Sequence, residues 1–267
     1  MLISKCLGVN REGHLTIGEC DTVSLAKDYG TPLYVMDEET IRTNARSYRD
    51  SINRYYNCKG KVLYASKAFC CKEMCRIARE EGLGLDIVSG GELFTALKAG
   101  FDPKDIFFHG NNKTRQEIVY ALECGVGRFV ADNLSELEML DSLAGELGKK
   151  AHILFRIKPG VDAHTHDFIR TGQIDSKFGF ALETGEAEEA VARASGMQHL
   201  VLRGIHCHIG SQIFEIEPFE LAADIMIGFM AKIKQRLGIE FDELNLGGGF
   251  GIKYVASHDP IEYDRYL

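Results

Sequence analysis

From residue 60 onward, short apolar runs rich in β-branched residues alternate with longer segments of helical period. The runs are Lys61–Ala65, Gly84–Ser89, Asp105–His109, Arg128–Asp132, His152–Ile157, Leu202–His208 and Glu243–Leu246. Between them lie the amphipathic stretches Lys72–Glu81, Gly91–Ala99, Thr114–Cys124 and Ser135–Leu147. In the last of these, Ser135 and Glu138 have the spacing of a capping box, in which each side chain satisfies the other residue's backbone N–H. Strand runs with little polar alternation are buried on both faces, and their alternation with helices predicts a parallel sheet built of βα units. Seven such units follow residue 60, whereas a closed (β/α)8 barrel has eight. The pattern therefore predicts an α/β fold of the TIM-barrel type, truncated before its eighth strand. An open doubly wound sheet is the alternative, but no dinucleotide fingerprint supports it. Residues 1–30 precede the repeat and read as a strand-rich arm, which leaves 31–267 as the barrel domain.

Composition narrows the class without naming it. Apolar residues make up 45 % and charged residues 26 % of 267 positions, which fits a globular chain and excludes a disordered one. Lys and Arg total 31 against 39 Asp and Glu, a formal net charge of −8, so the basic footprint of a nucleic-acid binder is missing. No apolar run reaches the ~18 residues of a membrane span. The first residues also lack the apolar core and cleavage site of a signal peptide. Eight cysteines spread over the chain, without a paired CxxC spacing, read as free thiols in a reducing cytoplasm. Cys70, Cys71 and Cys75 are expected on one helix.

In a barrel, functional side chains sit at the C-terminal ends of the strands. The first strand ends in Tyr64-Ala65-Ser66-Lys67, the second offers Asp86 and Ser89, and the third offers His109 and Asn111. The fifth carries Arg156, the sixth His206, His208 and Ser211, and the seventh runs into Gly247-Gly248-Gly249. A lysine desolvated near other cations has a lowered pKa and condenses with aldehydes. The N–H groups of a glycine loop take a phosphate without a side-chain clash. Together these point to a phosphorylated aldehyde cofactor. His206 and His208 flank Cys207 and share one strand face while the thiol takes the other. A zinc site on His-Cys-His is therefore set aside, since no third ligand shares that face.

These residues fall in segments that resemble the fold-type III pyridoxal-phosphate decarboxylases. The matching segments are TPLYV (Thr31–Val35), YASKA (Tyr64–Ala68), LDIVSGGEL (Leu85–Leu93) and HGNNK (His109–Lys113). RIKPGVDAHTH (156–166), TGQIDSKFG (171–179), GIHCHIGSQ (Gly204–Gln212) and LNLGGGFG (Leu244–Gly251) complete the series in unbroken order. The resemblance implies an alanine-racemase-like barrel and pyridoxal 5′-phosphate as cofactor, held covalently by Lys67. It places His208 on the pyridine face, Ser211 and Gly247–Gly249 on the phosphate, and Asp86 and Arg156 around the ring. Lys67 and His208 are the implied catalytic residues, and no metal is implied. The implied reaction is loss of CO2 from the D-configured centre of meso-2,6-diaminopimelate, giving L-lysine, in a cytoplasmic homodimer. Sibling decarboxylases acting on ornithine or lysine, carboxynorspermidine or carrier-bound glutamate remain alternatives, as does a non-catalytic cofactor-holding barrel. The family's EPGR segment on an eighth strand and its later Cys-Glu pair in a C-terminal β-domain have no counterpart here. The 267 residues are accordingly expected to be an N-terminal portion, inactive by itself.

Overall fold

The computed structural model describes residues 4–161 and 177–267. Three short strands open the chain, β1 (Leu7–Val9), β2 (Leu15–Ile17) and β3 (Cys20–Asp21), and form a small antiparallel sheet in that order. Asp21 then caps helix α1 (Thr22–Tyr29) by accepting from the backbone of Val23 and Ser24. The arm is thus partly helical, which its apolar pattern alone did not reveal. Helix α2 (Glu38–Tyr55), started by Asp37, was also outside the expected elements. Its Arg42 and Arg46 bind Glu81, and its Tyr48 stacks on Tyr263 at 3.8 Å between ring centroids.

The seven expected runs are the seven strands of one parallel sheet. In chain order the units are β4 (Leu63–Ala65), α3 (Lys72–Glu80), β5 (Gly84–Ile87), α4 (Gly90–Lys98), β6 (Ile106–Phe108) and α5 (Arg115–Cys124). They continue with β7 (Arg128–Ala131), α6 (Leu134–Glu146), β8 (Ala151–Lys158), β9 (Phe180–Ala181) and α7 (Glu186–Ala194). Strand β10 (Leu200–His206), α8 (Glu217–Leu237) and β11 (Glu243–Asn245) end the series. The sheet order is β4-β5-β6-β7-β8-β10-β11, every neighbour parallel. The short β9 pairs with the end of β8 off this path and was not anticipated.

The sheet curls. Arg128 opens β7 and Glu243 opens β11, three places along the sheet, yet Arg128 Nε donates to both carboxylate oxygens of Glu243 at 2.8 and 2.9 Å. Side chains stand roughly perpendicular to a sheet, so the two can meet only across the concave face of a barrel wall. The strand period of two then sorts residues between the wall's faces. Leu85, Ile87, Phe108, Phe129, Phe155, Ile205 and Cys207 pack with the helices in the hydrophobic core. Asp86, Arg156, His206 and His208 occupy the alternate positions, facing inward. Their register is tight: Ala65 pairs with Asp86 and Arg156 with His206.

Two local expectations need correction. Helix α6 starts two residues earlier than Ser135…Glu138 implied, because Asn133 is its cap and accepts from the backbone N–H of Glu136. Ser135 is already helical, and Glu138 instead pairs with Arg193. The complete capping box is at Thr114 and Glu117 of α5. Of the three clustered cysteines only Cys75 is inside α3; Cys71 caps it and Cys70 precedes it. None of the eight cysteines is in a disulfide. No described helix is long and apolar enough to cross a membrane. Residues 162–166 and 171–176, parts of two of the family-like segments, lie outside the described residues.

Candidate active site at the strand ends

Lys67 sits in a 3-10 turn (Ser66–Ala68) directly after β4, its side chain exposed toward the concave rim. The turn is pinned from both sides. Ser66 Oγ donates to the Asp86 carbonyl at 2.8 Å, and Tyr64 Oη donates to the Phe69 carbonyl at 2.9 Å. The Lys67 charge acts on Asp86, His109 and His208, which places the four groups around one space.

Asp86 keeps 21 % of its side-chain exposure, but its Oδ1 is buried, 3.7 Å from His109 Nε2, and without a hydrogen bond. Burial pushes its carboxyl up to about 7, against the pull of Lys67, Arg156 and Lys113. His109 in turn meets His206 edge to face, ring centroids 4.6 Å apart. Burial and the neighbouring cations hold both imidazoles well below their usual range, so both are neutral at pH 7. His208 is pushed down to about 4, first by burial and then by Lys67 and Arg156. Its Nδ1 lies 3.5 Å from the backbone N–H of Gly248. Arg156 faces Asp132 at 3.7 Å and covers the ring of Phe178 at 4.2 Å.

The glycine run joins the site through His208. Gly247, at φ 74°, donates to Asn245 Oδ1 at 2.8 Å, and a Cβ on it would lie 2.5 Å from the Cys207 carbonyl oxygen. Gly249, at φ 108°, accepts from Ile213 N at 3.0 Å, which zips the β11 loop to the loop carrying Ser211. Ser211 is half-buried two residues before that bond. All eight residues that the resemblance assigns to the site are therefore described, and all lie at the C-terminal ends of β4, β5, β8, β10 and β11. Asp132, at the end of β7, was not among them. Its signal was present, because it closes the run Arg128–Asp132, as strand-end carboxylates do.

The residues fit a phosphorylated aromatic aldehyde. Buried polar atoms seldom go without partners, yet among the described residues Asp86 Oδ1, His109 Nε2, His206 Nδ1 and Asp132 Oδ1 are buried and lack a hydrogen bond. They surround the space that Lys67 and Arg156 make cationic. Beside it, the glycine loop runs close to the backbone that follows β10, where a Cβ at Gly247 or Gly249 would overlap the carbonyl oxygens of Cys207 or Gly210.

An inward-facing lysine, neutral histidines and a glycine cradle at one end of a parallel barrel define a pyridoxal-binding protein. The chain belongs to the family described as pyridoxal-dependent decarboxylase, pyridoxal binding domain, which it matches over residues 38–267. It is 51 % identical over 259 residues to the diaminopimelate decarboxylase of Bacillus methanolicus, covering 97 % of this chain and 60 % of that protein. It is 47 % identical over 258 residues to that of Bacillus subtilis (strain 168), covering 97 % and 58 %. The crystal structure of the M. jannaschii diaminopimelate decarboxylase with L-lysine superposes with a TM-score of 0.91 at 37 % identity, over 100 % of this chain and 62 % of that one. The chain spans about 60 % of the length of the relatives it matches.

The site's protonation makes stability depend on pH. Asp86 keeps its proton up to about pH 7 in the folded chain, whereas the unfolded carboxyl loses it near 3.8, so this group weakens the fold as pH rises between those values. His109, His206 and His208 act the other way: unfolded imidazoles bind protons below about 6.5 that the folded ones refuse. Three groups oppose one. Stability is expected to fall on acidification from pH 6.5 to 5, by roughly 1.4 kcal/mol per pH unit for each unmatched proton. Thermal unfolding midpoints across that interval check this, and His206→Gln should flatten the slope. A midpoint that rises on acidification contradicts the burial of the histidines.

Proposed function

We propose that this chain supplies the pyridoxal-phosphate barrel of a diaminopimelate decarboxylase, which removes CO2 from the D-configured centre of meso-2,6-diaminopimelate to give L-lysine. The observation that carries the reading is the convergence of Lys67, Asp86, Arg156 and His208 around buried polar atoms that lack hydrogen bonds. Lys67 would hold the cofactor covalently through Nζ, while Ser211 and the Gly247–Gly249 loop would hold its phosphate. His208, Asp86 and Arg156 would hold the ring. Bound pyridoxal phosphate supplies the sink for the electron pair left when the carboxylate departs.

The chain's own residues do the rest. Neutral His208, His109 and His206 line the site without adding positive charge that would hold the departing carboxylate. Asp86, poised near pH 7, changes protonation with small changes around it. The amine of Lys67, at the rim, would also carry a proton there. Residues 1–30 form an arm and 31–267 the barrel domain, and the working protein is a cytoplasmic homodimer. Residues 1–267 alone are expected to show little turnover, because among the described residues β4 and β11 each have an unpaired edge, and open edges recruit other chains.

The test is product analysis. Protein loaded with pyridoxal phosphate is offered meso-diaminopimelate, L-ornithine and L-lysine separately, and CO2 and the amine products are measured. Lysine formed from diaminopimelate supports the assignment. Putrescine or cadaverine formed instead moves the protein to a sibling decarboxylase, and bound pyridoxal phosphate whose absorbance none of the three amino acids shifts leaves a cofactor-holding barrel.

A further inference from the structure

Lys113 is one of the few buried cations, with 1 % of its side chain exposed, and the proposed chemistry does not use it. Its ammonium is saturated. Nζ donates to Gly110 O at 2.8 Å, Val130 O at 2.8 Å and Glu136 Oε1 at 2.7 Å, so all three protons are placed. This distinguishes it from Lys67, which no such set of acceptors consumes. The three bonds join separate pieces of the rim: the loop after β6, the end of β7, and the first turn of α6. Glu136 is fixed in turn, since its backbone N–H is held by the Asn133 cap at 2.9 Å. Its second oxygen, Oε2, accepts from the backbone N–H of Asp132 at 3.4 Å. Asp132 is therefore gripped through its backbone while its Oδ1, buried and without a hydrogen bond, is turned to Arg156 Nη1 at 3.7 Å. The Phe178 ring lies against the same guanidinium, its centroid 4.2 Å away.

We infer that Lys113 and Glu136 are positioning residues whose clamp on the β7–α6 corner aims Asp132 at Arg156 and so sets the orientation of that guanidinium in the anion-binding rim. The inference rests on the pyridoxal reading above only for what Arg156 then binds. A buried ion pair is by itself a weak source of stability, since desolvation offsets most of its attraction. Three strand-end corners drawn onto one ammonium have a plainer use in orientation. A guanidinium must be held in plane to meet an anion bidentately, and Asp132 is the one carboxylate that the clamp aims at it.

The experiment uses cofactor-free protein and two readouts. Phenylglyoxal labelling of Arg156, followed by peptide mapping, reports the guanidinium's orientation and access. Titration with pyridoxal phosphate reports affinity. Lys113→Met and Glu136→Gln should each raise the Arg156 labelling rate several-fold and the pyridoxal phosphate Kd roughly tenfold, a 1.4 kcal/mol change. In an Arg156→Ala background the same substitutions should leave Kd unchanged, because they act through that residue. Each single change leaves a lone buried charge and risks unfolding, so Lys113→Met/Glu136→Met is the second variant. Removing both charges should recover thermal stability while Arg156 labelling stays fast. Wild-type labelling in the single variants, or labelling that returns to wild type with stability in the double variant, overturns the clamp. Fast labelling together with an Arg156→Ala protein of unchanged Kd upholds the clamp and removes Arg156 from the pyridoxal site.

Discussion

Alanine at Lys67 is expected to abolish covalent retention of pyridoxal phosphate and, in any preparation with measurable CO2 release, to lower kcat by at least about 10³-fold. The amine has two tasks in the proposed chemistry, holding the cofactor and handling a proton, and no neighbour can take over either. Lys113 is consumed by three acceptors and enclosed. Lys177 is exposed, its Nζ 5.1 Å from the Phe178 ring centroid. Borohydride reduction of the loaded protein should place the pyridoxyl label on the peptide carrying Lys67, and Lys67→Ala should carry none. The fold should survive, because Lys67 lies in an exposed turn pinned by Ser66 and Tyr64 rather than by its own side chain. Label recovered on Lys177 or Lys113 would refute the assignment, whereas loss of label with a collapsed melting curve would mean that the turn had been misjudged.

Much of this is legible in the sequence. All seven barrel strands could be read from continuous apolar runs, because burial on both faces leaves no polar alternation to confuse them with loops. The shared face of His206 and His208, opposite Cys207, followed from strand period alone, whereas Asp86 and Arg156 were picked out by their places at strand ends. What escaped depended on side chains meeting across elements. Nothing local marks Lys113 as buried, for a lysine after a strand is usually solvated, and its enclosure arises only when Val130 and Glu136 arrive from the next βα unit. Helix α2 escaped because its face is mostly charged, with Arg42 and Arg46 reaching to Glu80 and Glu81 rather than burying apolar surface. The misplaced start of α6 shows competition between two good caps two residues apart. Asn133 prevails as the cap that accepts from the Glu136 N–H, so Leu134 and Ser135 already lie in the first turn.

Gly249→Ala is expected to cost the site its anion binding, while Gly248→Ala one residue away leaves the fold intact. The two glycines look equivalent in sequence and are opposite in structure. Gly249 has φ 108°, and a Cβ there would overlap the Gly210 carbonyl oxygen, which is backbone and cannot rotate aside. Gly248 is not among the positive-φ residues, and its Cβ would meet nothing within 4 Å. Forcing a side chain into the first position costs about 1–3 kcal/mol for the conformation and about 1–3 kcal/mol for the overlap. The chain can relieve this only by moving the loop. That movement breaks the Ile213 N to Gly249 O bond at 3.0 Å, and with it the link between the glycine run and the loop that carries Ser211. Phe250, the next residue, is held among Phe219, Tyr263 and Tyr266 at centroid distances of 4.9, 5.1 and 4.6 Å, so the strain cannot pass toward the C-terminal side. It is released toward His208 and the cradle instead. Titration of cofactor-free protein should show the pyridoxal phosphate Kd rising at least about tenfold for Gly249→Ala, a loss of 1.4 kcal/mol or more. Inorganic phosphate should lose its competition in parallel, while Gly248→Ala keeps its melting midpoint. If Gly249→Ala binds both ligands as the wild type does, the glycine run is only a turn, and the phosphate is held elsewhere on the rim.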